Sequence, residues 1–354
     1  MTNTITRREV LTSIGAGLVA LHAGATSTAV AAPSKPLRGA LLILHTPFTA
    51  DGAIDWDDLT REALFVDRAG AQGVVWPQGS SSVSTLTKEE RMRGMELLAH
   101  ALKGRRVALV LGVQGADVAD MLEYTAHAER LSPDAVIAMP PTRASSLDDY
   151  RAYFRALAGA TKRPVILQTS GGARTLVPPT EMIVALAREF PHLGYVKEES
   201  EPLVERMKAE LAHRDVMKGI YCANLGVNWL YAMRLGLDGI ITGNAMYADL
   251  FARLWALHEQ RKTEELRDAY GKFLLMRNLN ELVPGADLYI MKKRGVFKNT
   301  IVRTGPPAGG EKPKVTERRF SPVDIEEIEY RFAGLKPYLQ PALSVGTKRG
   351  YNLQ

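Results

Sequence analysis

Short apolar segments recur along this chain, and each is followed by a longer segment with a different pattern. The short segments are apolar throughout and are bounded by turn residues, which is typical of parallel strands buried on both faces. There are eight of them, at residues 40–44, 73–76, 107–112, 135–139, 164–167, 194–197, 217–222 and 239–243. The pattern predicts a parallel sheet with helices between its strands.

The segments between the strands have helical spacing. Within residues 57–69, for example, Leu59, Ala63 and Val66 can share one apolar stripe. Eight strand–helix units favour a (β/α)8 TIM barrel. The competing fold is a doubly wound sheet, which would show a glycine fingerprint after its first strand. The first strand here ends in His45-Thr46-Pro47-Phe48 instead.

We expect four parts along the chain. The barrel is predicted to span residues 38–258 and to be followed by a C-terminal helical extension. Helices are expected over 250–265, 266–278, 286–297 and about 321–332, with a surface loop at 304–314. The predicted parts are an export signal at 1–32, the barrel at 38–258, the helical extension at 259–340 and a polar tail at 341–354.

The N-terminus has the charged, apolar and small-residue regions of an export signal. Arg7 and Arg8 precede a mildly apolar run at 14–21, and small residues at 29–32 precede Pro33. The paired arginines resemble a twin-arginine signal, and an ordinary secretory signal is the alternative. We therefore expect a periplasmic or exported protein that is free of the membrane after the signal is removed.

Composition narrows the possible partners. The chain has 354 residues, 46% hydrophobic and 24% charged, with a net charge of +6, and this is ordinary globular composition. The basic residues are dispersed, so we expect no nucleic-acid partner. The histidines show no metal-ligand spacing, which argues against a metal hydrolase on the same fold. No glycine fingerprint suggests a nucleotide, and we expect no cofactor.

The candidate chemistry lies where strands end, because the carboxyl ends of barrel strands meet on one face. Lys197 ends the sixth strand. Only a neutral amine attacks a carbonyl, so a lysine at the mouth of an apolar strand suits a Schiff base, although many lysines after strands simply face solvent. The polar groups expected on the same rim are Ser80, Ser81, Ser82, Gln168, Thr169, Ser170, Arg174, Asn224, Thr242, Gly243 and Asn244.

Several motifs together resemble the dihydrodipicolinate synthase/N-acetylneuraminate lyase family over about residues 38–300. The motifs are Thr46-Pro47-Phe48, Gly79-Ser80-Ser81-Ser82 and the strand from Gly194 to Glu198. The resemblance implies a barrel enzyme, assembled as a homotetramer, in which Lys197 condenses with pyruvate or another 2-keto acid. It also implies that Ser80 and Ser81 hold the substrate carboxylate or relay protons. Arg174 would bind a carboxylate, after allowance for one inserted residue.

The chain departs from the family pattern at the proton relay. The family usually ends strand five with a tyrosine, whereas this chain has Gln168, and an amide does no acid–base work near neutral pH. If the chain is a lyase, another group on the rim must move the protons, and the candidates are Ser80, Ser81 and Glu199. Ser82 stands where the family has a glycine, so we expect a different loop shape there. Two hypotheses stay open: an exported class I lyase or hydro-lyase acting on a 2-keto acid, and a non-catalytic barrel that binds a carbonyl or carboxylate ligand.

Overall fold

The computed structural model describes residues 35–305 and 313–341. Within them, eight parallel strands pair in chain order, and the last pairs with the first to close a barrel. The strands are β1 Gly39–Ile43, β2 Gly73–Trp76, β3 Ala108–Gly112, β4 Ala135–Ala138, β5 Val165–Gln168, β6 Tyr195–Glu198, β7 Gly219–Cys222 and β8 Gly239–Thr242. The predicted (β/α)8 TIM barrel is confirmed.

A helix follows each strand and covers the outside of the barrel. Several helices begin at residues whose side chains accept a backbone N–H of the first turn, as Asp55, Thr87 and Ser146 do. The helices are α1 Trp56–Ala69, α2 Lys88–Ala101, α3 Val118–Leu131, α4 Leu147–Ala160, α5 Thr180–Glu189, α6 Leu203–Leu211, α7 Trp229–Leu235 and α8 Ala248–Glu259.

Side chains along each strand alternate between the barrel interior and the layer beneath the helices. On β5, Ile166 belongs to the interior cluster, whereas Leu167 packs under the helices. On β6, Tyr195 lies against the interior cluster and Val196 packs outside it. This alternation decides which side chains enter the interior where the strands end.

The C-terminal extension adds three helices, α9 Thr263–Leu282, α10 Ala286–Lys293 and α11 Pro322–Ala333. The predicted boundary between residues 265 and 266 is wrong, because the chain turns earlier, at Arg261, which has a φ of +58°. Glu264 and Glu265 then lie in the first turn of α9. Acidic side chains are favoured there by the helix dipole, and this was the signal for the true start.

An antiparallel hairpin, β9 Ile301–Thr304 and β10 Lys314–Glu317, forms on both sides of the predicted surface loop. Arg303 fixes it to the barrel. Its guanidinium is buried, pairs with Glu90 at 2.6 Å and donates to the Gly52 carbonyl at 3.1 Å. The sequence prediction missed this hairpin because its strands are short and only partly buried.

The predicted export signal, residues 306–312 and residues 342–354 of the predicted tail lie outside the described residues. Among the helices that the structure does describe, none has the length and apolar character needed to cross a membrane.

Candidate active site

A cavity of about 350 Å³ opens at the carboxyl ends of the strands. Its lining combines polar side chains, among them a lysine and a carboxylate, with aliphatic ones. The polar lining residues are Ser80, Lys197, Glu199, Asn224 and Thr242, and the others are Ile43, Leu225, Ile241 and Gly243. A small polar molecule with an apolar part suits such a site.

Lys197 lies at the base of this cavity on β6 and is only 5% exposed. Its Nζ donates to Oε1 of Gln168 at 3.1 Å and lies 3.1 Å from each carboxylate oxygen of Glu199. Gln168 is the register partner of Lys197 in the β5–β6 ladder, which explains why the two side chains meet. The prediction that these two residues share one rim is consistent with this geometry.

Four side chains form a closed set of hydrogen bonds, which we call the inner ring: Gln168, Ser170, Lys197 and Glu199. The amide Nε2 of Gln168 donates to Oγ of Ser170 at 3.2 Å, and that hydroxyl donates to Oε1 of Glu199. Lys197 closes the set by donating to Oε1 of Gln168 and to the carboxylate of Glu199. Gln168 and Ser170 are two residues apart, and so are Lys197 and Glu199. Because side chains alternate along an extended chain, all four point to the barrel interior.

The intervening residues Thr169, Glu198 and Ser200 point outward and form a second set of hydrogen bonds with Arg206 of α6. We call these four residues, together with the buried carboxyl group of Glu210 beside Glu198, the outer network. Glu198 is fully buried, accepts from Thr169 Oγ1 and the Ser200 backbone N–H at 2.7 Å, and pairs with Arg206 at 2.9 Å. Burial and the adjacent Glu198 carboxylate raise the pKa of Glu210 to about 10. Glu210 is therefore protonated at neutral pH.

Ser80 lines the cavity opposite this ring, next to the end of β8. A Cβ at Gly243 would lie 2.2 Å from Oγ of Ser80, so only glycine permits this approach. Thr242 also lines the cavity, and its Oγ1 accepts from Asn244 at 2.9 Å. The structure thus brings Ser80, Thr242 and Gly243 together with Lys197, as the sequence predicted.

Ser81 has a different environment. It is fully buried, its hydroxyl donates to the Leu44 carbonyl at 2.6 Å, and it accepts from the Gln78 N–H at 3.0 Å. These bonds hold the β2 loop against β1, and Ser81 does not line the cavity. Ser82 has a positive φ of +55°, a conformation that is uncommon for residues other than glycine.

Arg174 is not brought into the cavity. It lies exposed in the loop after β5, and it is absent from the cavity lining. The backbone N–H of the preceding residue, Ala173, donates to the hydroxyl of Tyr150 at 2.9 Å, which holds this part of the loop against α4. The carboxylate-binding role expected of Arg174 finds no support in this arrangement.

The loop after β7 contributes Asn224 and Leu225 to the cavity lining. Asn224 and Leu225 both have positive φ angles, +50° and +52°, which are unfavourable for a branched side chain. Asn244 holds this turn by donating to the Leu225 carbonyl at 2.8 Å, and Tyr270 of α9 donates to the Gly226 carbonyl at 2.7 Å. Strained backbone of this kind often occurs at binding sites.

Leu225 also lines the cavity, and the sequence did not predict it as a site residue. Glu199, Ser170 and Asn224 could be placed on this rim from the sequence, because each follows the end of a predicted barrel strand. For Leu225 no sequence signal existed, since a left-handed leucine cannot be foreseen from composition. Within residues 35–305 and 313–341, no group of three or more His, Cys, Asp or Glu residues is arranged to hold a metal ion.

The chain is similar in sequence to known proteins. A model of the dihydrodipicolinate synthetase family matches residues 36–272. A 4-hydroxy-tetrahydrodipicolinate synthase of Phocaeicola vulgatus is 28% identical over 67% of this chain and 80% of that protein. One from Rhizobium meliloti is 29% identical over 46% of this chain, and the match spans 55% of that protein's length.

Solved structures show the same fold at lower identity. The chloride-inhibited dihydrodipicolinate synthase of Acinetobacter baumannii, in complex with pyruvate, superposes with a TM-score of 0.72 at 18% identity. The superposition covers 85% of this chain and 99% of that one.

Proposed function

This chain belongs to the dihydrodipicolinate synthetase family, and from that premise we propose that it is a lyase acting on a 2-keto acid through a Schiff base on Lys197. Family membership supports a lyase-type enzyme. The Schiff base on Lys197 and the class of substrate are our proposal.

The observation that carries the proposal is the position of the Lys197 amine. Its Nζ lies at the base of a cavity of about 350 Å³, is almost excluded from water, and contacts a carboxylate that can accept its proton. The resulting iminium is an electron sink. It stabilises the enamine that remains after cleavage of a carbon–carbon bond or loss of water.

The opposite wall offers groups for the carboxylate of a 2-keto acid. Ser80 and Thr242 supply two hydroxyls, and the Gly243 backbone lies beside Ser80 in the same lining. The relative from Acinetobacter baumannii was solved with pyruvate, which supports a keto acid of this size as the part of the substrate next to Lys197. The aliphatic side chains of Ile43, Leu225 and Ile241 in the same lining suit a less polar part of the substrate, farther from the keto acid group.

Trapping with borohydride tests the proposal. Pyruvate and borohydride together should add a stable mass to the wild-type protein, and peptide mapping should locate the adduct at Lys197. Lys197→Arg keeps the charge but removes the nucleophile, because guanidinium does not deprotonate in proteins. Lys218→Arg, at the exposed amino end of β7, is the matched control and should label like the wild type. If Lys197→Arg is labelled as fully as the wild type, the proposal is refuted.

The alternative is a barrel that binds a carbonyl ligand without turning it over. The observation that favours it is Gln168, whose amide contacts Nζ but supplies no proton. A wild-type protein that forms the Lys197 adduct with several 2-keto acids, yet neither cleaves nor dehydrates any of them, would support this binding function.

We also propose that the protein is exported by a twin-arginine-type signal at residues 1–32, which is supported by Arg7 and Arg8 before a weakly apolar run. Changing both arginines to lysine should leave the precursor in the cytoplasm, as judged by fractionation and immunoblotting. Unchanged export would point to an ordinary secretory signal.

The family resemblance further leads us to propose a homotetramer. Light scattering on the purified protein should give a mass about four times that of the chain, and a monomer mass would refute the assembly.

A further inference from the structure

We propose that Glu199 is the acid–base group of this active site, in place of the phenol that the family pattern leads one to expect at Gln168. This inference rests on the proposed function, because it concerns proton transfer to and from the Lys197 adduct. It assigns Ser170 and Gln168 as positioning residues for the two charged groups.

The geometry singles out Glu199. Both of its carboxylate oxygens lie 3.1 Å from Nζ of Lys197, which is within direct proton-transfer distance. In the part of the chain that the structure describes, Glu199 is the only carboxylate among the residues that line the cavity. Its side chain is 17% exposed, so it borders the cavity, whereas the neighbouring Glu198 faces away from it.

Gln168, Ser170 and Ser81 cannot take this part. Gln168 uses Oε1 as the acceptor for Lys197, and its Nε2 donates to Ser170. The hydroxyl proton of Ser170 is directed at Glu199 itself. Ser81 donates to the Leu44 carbonyl and lies outside the cavity lining. Two donors of the inner ring, Nζ of Lys197 and the hydroxyl of Ser170, therefore point to the Glu199 carboxylate.

Schiff-base formation moves two protons from nitrogen to oxygen, and one carboxylate can carry both. From the ion pair, Glu199 takes one proton, and the neutral amine of Lys197 attacks C2 of the keto acid. The carbonyl oxygen takes that proton from Glu199 as the C–N bond forms. Glu199 then takes a second proton from the nitrogen and gives it to the hydroxyl, which leaves as water.

The balance closes without a further reactant. The two protons lost by the ammonium leave with the carbonyl oxygen as one water molecule, and the iminium keeps one N–H. Glu199 ends as the carboxylate with which it began. In the next step the same carboxylate can remove a proton from C3 of the iminium to give the enamine, or return one to C3 after a carbon–carbon bond breaks.

Exchange of the methyl hydrogens of pyruvate in heavy water, followed by proton NMR, reports this step without knowledge of the natural substrate. We expect Glu199→Gln to lower the exchange rate by about 10²–10⁴-fold, the range for loss of a general acid–base group. Glu198→Gln is the matched control, one residue away and turned outward. The folded fraction of Glu198→Gln should exchange the methyl hydrogens of pyruvate at a rate within about tenfold of the wild-type rate.

Rescue separates proton transfer from a merely structural role. In Glu199→Ala, formate and acetate should restore exchange in a concentration-dependent way, whereas chloride at equal ionic strength should not. A charge needed only to hold Lys197 in place would not give a rate that follows the basicity of the added carboxylate.

The outcomes are distinct for the two proposals. If borohydride traps no pyruvate on wild-type Lys197, the Schiff-base function fails, and this inference fails with it. If trapping succeeds and Glu199→Gln exchanges the methyl hydrogens at the wild-type rate, Glu199 is not the acid–base group and the Schiff-base function stands. Loss of exchange in Ser80→Ala but not in Glu199→Gln would move the role to that hydroxyl.

Discussion

Glu198 and Glu199 are adjacent in the sequence but lie on opposite sides of the barrel wall. Glu198 is fully buried in the outer network, where two hydrogen bonds and Arg206 satisfy its charge. Glu199 belongs to the inner ring, borders the cavity and shares Nζ of Lys197 with Gln168. The same chemical group is thus a structural ion on one side and a candidate reactive group on the other.

The difference arises from strand alternation and not from residue type. Thr169 and Ser170, directly after β5, show it again, since Thr169 donates to Glu198 and Ser170 donates to Glu199. Substitutions in the outer network should therefore affect mainly the free energy of unfolding. Substitutions in the inner ring should affect mainly the rate of chemistry at Lys197.

The largest effect is expected from Arg206→Met. Removing this cation leaves the Glu198 carboxylate buried without its partner, and breaking a buried ion pair from one side costs about 3–5 kcal/mol. Urea unfolding should show this loss, while the folded fraction still forms the Lys197 adduct. Arg188→Met removes an ion pair that is more than half exposed on both sides and should cost no more than about 1 kcal/mol. Equal costs for the two variants would contradict the comparison.

Glu210→Gln tests the protonation of the outer network. The folded-state pKa of Glu210 is raised from 4.5 to about 10, so the folded protein holds a proton that the unfolded chain releases. Stability from this group is fully present below pH 4.5 and declines as pH rises toward 10, by about 1.4 kcal/mol per pH unit.

The amide in Glu210→Gln does not titrate. The difference in free energy of unfolding between the variant and the wild type should therefore shift in favour of the variant by about 3 kcal/mol as the pH rises from about 6 to about 8. Urea unfolding at a series of pH values measures this difference. Glu205→Gln, on the exposed side of the same helix, should leave the pH dependence unchanged. Parallel curves for wild type and Glu210→Gln would mean that Glu210 is ionised in the folded state.

Much of the fold followed from the sequence, because the strands are short apolar runs at regular intervals. Lys197 could be singled out because an ionisable side chain at the end of an apolar strand is unusual. The inner ring could not be derived in full, since it depends on β5 and β6 pairing with Gln168 opposite Lys197. The sequence also could not show that Ser80 lines the cavity, whereas the Ser81 hydroxyl donates to the Leu44 carbonyl after β1.

Thr169→Val and Ser170→Ala compare neighbouring hydroxyls on the two sides. Thr169 donates to Glu198 and accepts from the Glu199 N–H and the Ser200 hydroxyl. Its loss should destabilise the fold by about 1–3 kcal/mol with little change in pyruvate exchange. Ser170→Ala should instead slow exchange by about tenfold, the scale of one lost hydrogen bond to a charged group, with a smaller change in urea midpoint. The reverse pattern would show that the two sides are not functionally separate.

Gln168→Ala should have the smallest effect of the series. Gln168 accepts one hydrogen bond from Lys197, but Glu199 holds the same nitrogen with both oxygens and remains in place when the amide is removed. An amide moves no proton near neutral pH, so its removal should lower pyruvate exchange by no more than about tenfold. The measurement also decides what replaced the family tyrosine. If Gln168→Ala removes exchange as fully as Glu199→Gln does, the amide is essential to placing the lysine, and proton transfer cannot be assigned to the carboxylate alone. If Gln168→Ala exchanges at nearly the wild-type rate while Glu199→Gln does not, the acid–base function lies two residues after Lys197 on β6 and not at the end of β5.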